Sequence, residues 1–518
     1  TLRGSYVAGV YYPDKTRVGW WKNRYPEYFA KVLNAPNWIG IHLSVDNQKL
    51  DLAKCKVEGF KRVLDMKVGV LSRNFAATLP DGKKLRIESK RFCSMARGEV
   101  GAIRYSITAL NFSAKATLSI FVDADVVNKD SNYDEKFWEE IYKEASEGKA
   151  IVTAQTKKTF FHVTTGMRYV ILSEGKKVNF DRINMEQREK FAGNILQLDL
   201  QEGKEIVVYK YAAVLSSENH PKDQLVSHCT KVLDEAVEAG FDTLYEEHAK
   251  VWAHKWEECD ITIEGDVAAQ QGIRFNIFQL TQTYTGDDER LNIGPKGFTG
   301  EKYGGSTYWD TEAYCIPFYL GTAEQKVARN LLIYRYKHLG KAIENAKKLG
   351  FTNGAAFYPF VTMNGEECHN EWEITFEEIH RTSAMAYAIR DFIDYTGDRT
   401  YLLEFGLEVL IGVSRFWAQR VNWSGDKNKY VILGVTGPNE YENNVNNNWY
   451  TNYLGVWTLK FTLQSIEYVR QTDANRFAEI VAKTDFNEKE EISKWKEITT
   501  KMYFPVDEKR KVFLQEDG

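Results

Sequence analysis

No run of about eighteen apolar residues occurs in the chain, so the sequence predicts no membrane-spanning helix. Cysteine is scarce and scattered. There are six, at Cys55, Cys93, Cys229, Cys259, Cys315 and Cys368, with no Cys-x-x-Cys spacing. That excludes a disulfide framework and a zinc pattern, and it fits a reduced, cytoplasmic protein. An excess of positive charge is also missing. Lysine and arginine number 68 against 72 aspartate and glutamate, for a net charge of -4. No basic field is left for nucleic acid or an anionic membrane. No signal peptide is visible. The chain begins at Thr1 rather than Met, so a missing segment in front is expected.

Aromatic residues are abundant: 13 Trp, 29 Tyr and 28 Phe in 518 residues. They point first to large cores, and also to stacking surfaces for flat ligands such as sugar rings. The length predicts two or three domains. Residues 1–218 read as β. "WIGIHLSVD" (38–46), "KLRIESKRF" (84–92) and "GAIRYSITAL" (101–110) alternate with period two. "LPDGKK" (79–84) is a turn signal, and "EIVVYKYAAVL" (205–215) is the last clear strand,. Many strands at short spacing predict a β-sandwich. Residues 219–265 read as a helical linker: 223–240 and 241–259 have helical spacing, with Gly240 between them. His248, Trp252 and Trp256 recur there on one face, and packing of that face against a neighbour outweighs a ligand role. From 266 to 518, helices expected at 268–284, 323–349, 376–395, 401–421 and 450–470 alternate with long loops. An all-helical scaffold with its site in the connecting loops is the natural reading.

Three loops hold the candidate chemistry. In "GPKGFTGEKYGGSTYWDTEAYCIPFY" (294–319), Tyr308 and Trp309 offer stacking faces, while Asp310 and Glu312 accept hydrogen bonds. A sugar site needs that combination, although a capped turn with Trp309 in the core reads equally well. In "YPFVTMNGEECHNEWEITFEEIHR" (358–381), Cys368 and His369 are adjacent, poor geometry for two ligands on one metal, and no matching pair follows. Glu377 and Glu378 read as the start of a helix, where acids suit the dipole. Glu371, Trp372 and Glu373 precede that start and are the better ligand candidates.

The third loop is "GVTGPNEYENNVNNNWYTN" (434–452). Six of the ten residues from 439 to 448 are asparagine; Glu440 and Glu442 sit among them without lysine or arginine. A general acid must stay protonated near neutral pH. Partial burial raises a carboxyl's pKa and neighbouring cations lower it, so asparagines supply hydrogen bonds without that penalty. The same composition also fits a turn network that satisfies its own backbone. An inverting hydrolase needs two carboxyls about 6.5–9.5 Å apart, an acid and a base. If phosphate is the nucleophile, one acid suffices.

On these loops, and on "VGWWKNRYPEYFAKVLNAPNWIGI" (18–41), the chain resembles the inverting disaccharide phosphorylases of glycoside hydrolase family 65 along nearly its whole length. The resemblance implies a β-sandwich, a helical linker, an (α/α)6 barrel and a small C-terminal β domain. It implies phosphorolysis of an α-glucoside to β-glucose 1-phosphate with inversion, with phosphate as co-substrate and no metal or organic cofactor. The glutamate after "GPN", Glu440, matches the general acid, with Asn439 beside it and Glu442 as the rival. Trp309 and Asp310 match the residues that hold the non-reducing glucose. Residues 367–378 match the loop that shapes the acceptor site. "EKYGGSTYWDTE" and "ECHNEWEITFEEIH" look like the maltose-acting type; in trehalose- and kojibiose-acting relatives that loop differs, and "WDTE" more often follows a "GYRGH"-like stretch. The expected partners are therefore maltose, phosphate and glucose, and the expected assembly is a homodimer.

The family continues beyond "FLQEDG" (513–518), with further barrel helices, a Lys-Gln pair at the glucose site and loops that hold phosphate. The chain is expected to be C-terminally truncated, its barrel incomplete. Other readings remain open: a phosphorylase of trehalose, kojibiose or nigerose, a glucoamylase-like hydrolase, or a non-catalytic carbohydrate-binding fragment.

Overall fold

A computed structural model describes residues 4–14, 28–129, 135–180, 182–295, 297–298, 301–368 and 374–517. Residues 18–27 of the 18–41 motif, and Glu371, Trp372 and Glu373, lie outside the described residues. The chain divides into two compact units. Residues 1–12, 32–278 and 300–302 form the first; residues 13–31, 279–299 and 303–518 form the second. The first is rich in sheet and the second in helix.

In the first unit the alternating stretches become the strands Ile41–Val45, Lys84–Cys93, Val100–Ala109 and Glu205–Ser216. "LPDGKK" is a turn, closed by the Gly82 N–H donating to the Leu79 carbonyl. A nine-stranded and a five-stranded antiparallel sheet share one core that includes Phe75, Ile87, Ile107, Leu118, Leu196 and Val208. The central strands Val100–Ala109 and Glu205–Ser216 are buried along nearly their whole length. The reason is helix α1 (Leu225–Cys259), which covers the other face of the larger sheet. Its Cys229 and Leu233 meet Ile151, Ala213 and Leu215. Gly166 permits that approach, because a Cβ there would lie 2.6 Å from the Cys229 sulfur.

Gly240 (φ 77°, ψ 165°) breaks α1 where the sequence places a boundary. The His248 stripe serves packing. His248 Nδ1 accepts from the Met95 N–H, and its ring stacks on Phe92. Trp252 stacks on Phe278, and the Trp256 indole donates to the Met66 carbonyl.

Helix α2 (Val267–Thr283) follows as expected. The second unit then contains α3 (Ile316–Thr322), α4 (Gln325–Lys337), α5 (Leu339–Lys348), the one-turn α6 (Ile374–Glu377), α7 (Arg381–Thr396), α8 (Leu407–Arg420), α9 (Trp449–Thr472), α10 (Ala474–Thr484) and α11 (Glu488–Lys501). The helix expected over 323–349 is two helices, interrupted at His338 (φ -97°, ψ 8°). The one expected from 376 starts at Arg381. Helices α10 and α11 are not among the expected ones, and both carry capping signals. Asp473 accepts from the Arg476 N–H, and Asn487 accepts from the Glu490 N–H,.

Helix α8 is buried at every residue from Leu407 to Trp417, because α5, α7, α9, α10 and α11 surround it. Helix α7 packs between α3 and α9. The loops that run into α3, α7 and α9 therefore finish side by side, and these are the three loops singled out in the sequence. Among the described residues no helix is long and apolar enough to cross a membrane.

Candidate active site

The first loop ends in the short strand Thr307–Tyr308, paired with Val361–Thr362, and then a π turn, Thr311–Cys315. Tyr308 is buried, with its ring edge-on to Phe360. It packs the loop, in contrast to the stacking face expected for it. Trp309 is half-buried and meets the His380 ring edge-on, with centroids 5.2 Å apart. Asp310 is also half-buried. Burial raises its pKa to about 6, and the negative charges of Glu378, Glu312 and Glu440 add to the effect.

Glu312 does not face a ligand. It is fully buried and bonded at both oxygens by Arg335 of α4, at 2.7 and 2.8 Å. Arg335 also donates to the Tyr308 carbonyl. A buried carboxylate demands such a partner, so Glu312 anchors the turn that presents Trp309 and Asp310.

Asp310 should cost the fold stability. An acid whose folded pKa is raised imposes no penalty below its ordinary pKa of 3.8, a growing one up to about pH 6, and the full one above,. Asp310→Asn is expected to stabilise the protein by about 1–3 kcal/mol at pH 7, with the gain shrinking as pH falls toward 4. Thermal melts across that range measure it; an asparagine variant less stable at pH 7 contradicts it.

The second loop differs from its sequence reading. Glu377 and Glu378 do not open a long helix: α6 ends at Glu377, and α7 starts after His380. Glu377 instead braces the third loop. Its Oε2 accepts from Thr436 Oγ1 at 2.7 Å and from the Asn444 N–H at 2.9 Å. Glu378 and His380 are buried, with the His380 Nε2 3.2 Å from Glu378 Oε1. Glu367, matched to the acceptor loop, is buried as well. It accepts from the Phe360 and Val361 N–H groups and pairs with Arg381, which in turn donates to the Glu378 carbonyl. Cys368 is buried and donates to the Val361 carbonyl.

In the third loop Glu440 and Asn439 are exposed. Glu440 is close enough to the cluster for Asp310 to feel its charge. Its own pKa is raised, first by partial desolvation and then by Glu378, while the His380 imidazole pulls it back. Most of the asparagines do what the turn reading expects. Asn446 accepts from the Gly434 N–H and Asn447 from the Ile432 N–H. Asn448 caps α9 by accepting from the Thr451 N–H. Asn444 and Asn447 adopt positive φ, which asparagine tolerates. Gly437 is required by proximity, since a Cβ there would lie 2.4 Å from the Asn448 amide nitrogen. Asn439 bonds Gln515. Glu442 is exposed, its N–H turned to the Asn439 carbonyl.

The site thus gathers Trp309, Asp310, Glu378, His380 and Glu440. Sequence reading names the first two and the last as candidates. It missed Glu378 and His380, whose only signal was their closeness to the tryptophan-containing loop.

Comparison with known proteins identifies the family of both units. Residues 1–255 match the family described as "Glycosyl hydrolase family 65, N-terminal domain", and residues 274–518 match "Glycosyl hydrolase family 65 central catalytic domain". The chain is 47% identical over 517 residues to maltose phosphorylase of Bacillus subtilis (strain 168), covering 99% of this chain and 66% of that protein. It is 31% identical to alpha,alpha-trehalose phosphorylase of Thermoanaerobacter brockii, covering 100% of this chain and 67% of the relative. A solved structure provisionally named kojibiose phosphorylase, from the human microbiome, superposes with a TM-score of 0.89 at 28% identity, over 100% of this chain and 66% of that one. The chain therefore spans about two thirds of the length of the relatives it matches. On these matches, the chain belongs to glycoside hydrolase family 65.

Proposed function

We propose that the protein is an inverting maltose phosphorylase. The observation that carries the reading is the meeting of Glu440, a carboxyl with a raised pKa, with the aromatic–carboxyl pair Trp309 and Asp310. The 47% identity to a maltose phosphorylase supports the choice of disaccharide. The non-reducing glucose lies with its C–H face on Trp309 and its hydroxyls toward Asp310. Glu440 gives its proton to the glycosidic oxygen as the bond to the anomeric carbon breaks. Phosphate attacks that carbon from the opposite face through an oxocarbenium-like state. The products are β-glucose 1-phosphate and glucose, and Glu440 is left ionised until it regains a proton. Phosphate is already anionic, so the step as written needs neither a base nor a metal or organic cofactor. Glu371, Trp372 and Glu373 are assigned to the acceptor side by resemblance, and Asn439 to substrate binding.

The same reading divides the chain into a β-sandwich over 1–218, a helical linker over 219–265 and an (α/α)6-barrel domain from 266. It also proposes a homodimer working in the cytoplasm. Proton NMR of maltose incubated with the protein, with and without phosphate, tests the reaction. β-Glucose 1-phosphate formed only with phosphate supports it. Glucose released equally without phosphate replaces it with hydrolysis.

Glu377 gives a second handle on the same reading. Glu377→Ala removes the acceptor for two donors of the Glu440 loop. It is expected to lower kcat about tenfold to a hundredfold, with a stability loss of about 1–2 kcal/mol. A variant with unchanged kcat would show that the brace does not position Glu440.

A further inference from the structure

The second loop leaves polar atoms without partners. Among the described residues, Glu378 Oε2 and both ring nitrogens of His380 are buried and have no hydrogen-bond partner; His380 Nε2 lies 3.2 Å from Glu378 Oε1 without forming a hydrogen bond. The side chains are 1% and 0% exposed. An unsatisfied buried polar atom costs about 1–3 kcal/mol, and native structures rarely leave one without a ligand or water to complete it. Here the orphans sit together, two residues apart. The His380 ring is flanked edge-on by Trp309 at 5.2 Å and by Tyr450 at 5.3 Å.

The chemistry of the pair selects its ligand. A carboxylate oxygen accepts a hydrogen bond, and an imidazole nitrogen donates or accepts according to tautomer. Together they match two neighbouring hydroxyls on one ring. A carboxylate repels phosphate, so the pair does not suit the attacking anion. We propose that Glu378 and His380 form a hydroxyl-binding pair for the pyranose whose C–H face lies on Trp309, making both substrate-binding residues. The proposal rests on the reading of Trp309 and Asp310 as the glucose site. Satisfied by sugar hydroxyls, the orphan atoms convert a cost of the empty protein into selectivity for the sugar, because an analogue lacking the hydroxyl leaves them unpaired.

The test is calorimetric titration with glucose and its 2-, 3-, 4- and 6-deoxy analogues, on the wild type, Glu378→Gln and His380→Gln. In the wild type, at least one deoxy analogue is expected to bind about tenfold or more weakly than glucose. In a variant, glucose binding should fall by a similar factor, and loss of that same hydroxyl should then cost little more. The other analogues should keep their wild-type ranking. If every sugar weakens equally, or the variants bind as the wild type does, the pair is structural and the proposal fails. It fails equally if the wild type binds none of these sugars. Circular dichroism identifies a variant that has not folded, and the other variant then decides. Formation of β-glucose 1-phosphate is measured on the same wild-type preparation. Its absence, with the deoxy pattern as expected, sinks the phosphorylase reading and leaves the pair standing; the reverse result sinks the pair alone.

Discussion

Glu440→Gln is expected to lower maltose phosphorolysis by about 10³-fold or more, in line with the loss of a general acid, and to leave the fold intact. The side chain is exposed, so an amide of the same shape disturbs no packing. In the proposed mechanism the change removes the one proton that the leaving glucose needs. A leaving group that needs no proton should escape the defect: phosphorolysis of α-glucosyl fluoride should be nearly spared. Glu442→Gln should have little effect on either donor. The wild-type rate should fall on the alkaline side as Glu440 ionises, at a pH above the ordinary carboxylate range, because partial desolvation and Glu378 raise its pKa. That limb should disappear for the fluoride. A Glu440→Gln enzyme within tenfold of wild type on maltose, or a Glu442→Gln enzyme that is dead, moves the acid elsewhere.

Trp309, Asp310 and Glu440 stand out in the sequence as candidates; Glu378 and His380 beside them do not, and the difference is physical. Strands such as Val100–Ala109 alternate visibly because each residue faces one of two sides, and a turn such as that at Gly82 declares itself in a few adjacent residues. Trp309, Asp310 and Glu440 lie in short motifs that a resemblance can match. Glu378 reads as a helix-opening acid, a role that depends only on local dipole, but the helix stops one residue earlier and turns it inward. Glu312 reads as a ligand because nothing nearby in sequence neutralises it; its partner Arg335 is 23 residues away on α4. Tyr308 looks like Trp309 in composition, yet strand pairing turns one ring into the core and leaves the other half-open. The asparagines were legible in both senses at once, since a turn network and a low-charge setting for an acid call for the same residues.

The pair Glu312–Arg335 carries the largest expected effect on stability. Arg335→Met leaves a fully buried carboxylate without its cation. Burial already pushes the Glu312 carboxyl up, and Arg335 is what opposes it. Breaking a buried pair from one side should cost about 3–5 kcal/mol, whereas replacing both members by apolar residues is often neutral. The double variant Glu312→Leu with Arg335→Met should therefore recover most of the loss, measured as the denaturant midpoint of the helical unit. Activity should not recover with it. Arg335 grips the Tyr308 carbonyl on one side of Trp309–Asp310 and Glu312 on the other, so the ion pair fixes both ends of the segment proposed to meet the sugar. Two apolar side chains fill the space but cannot hold a carbonyl, and a misplacement of about 1 Å is enough to cost about a hundredfold in rate. A double variant as unstable as the single one would refute the desolvation account. A stable double variant with full phosphorolysis would refute the clamp, and with it the claim that this buried pair is retained for the position of Trp309 and Asp310 more than for stability.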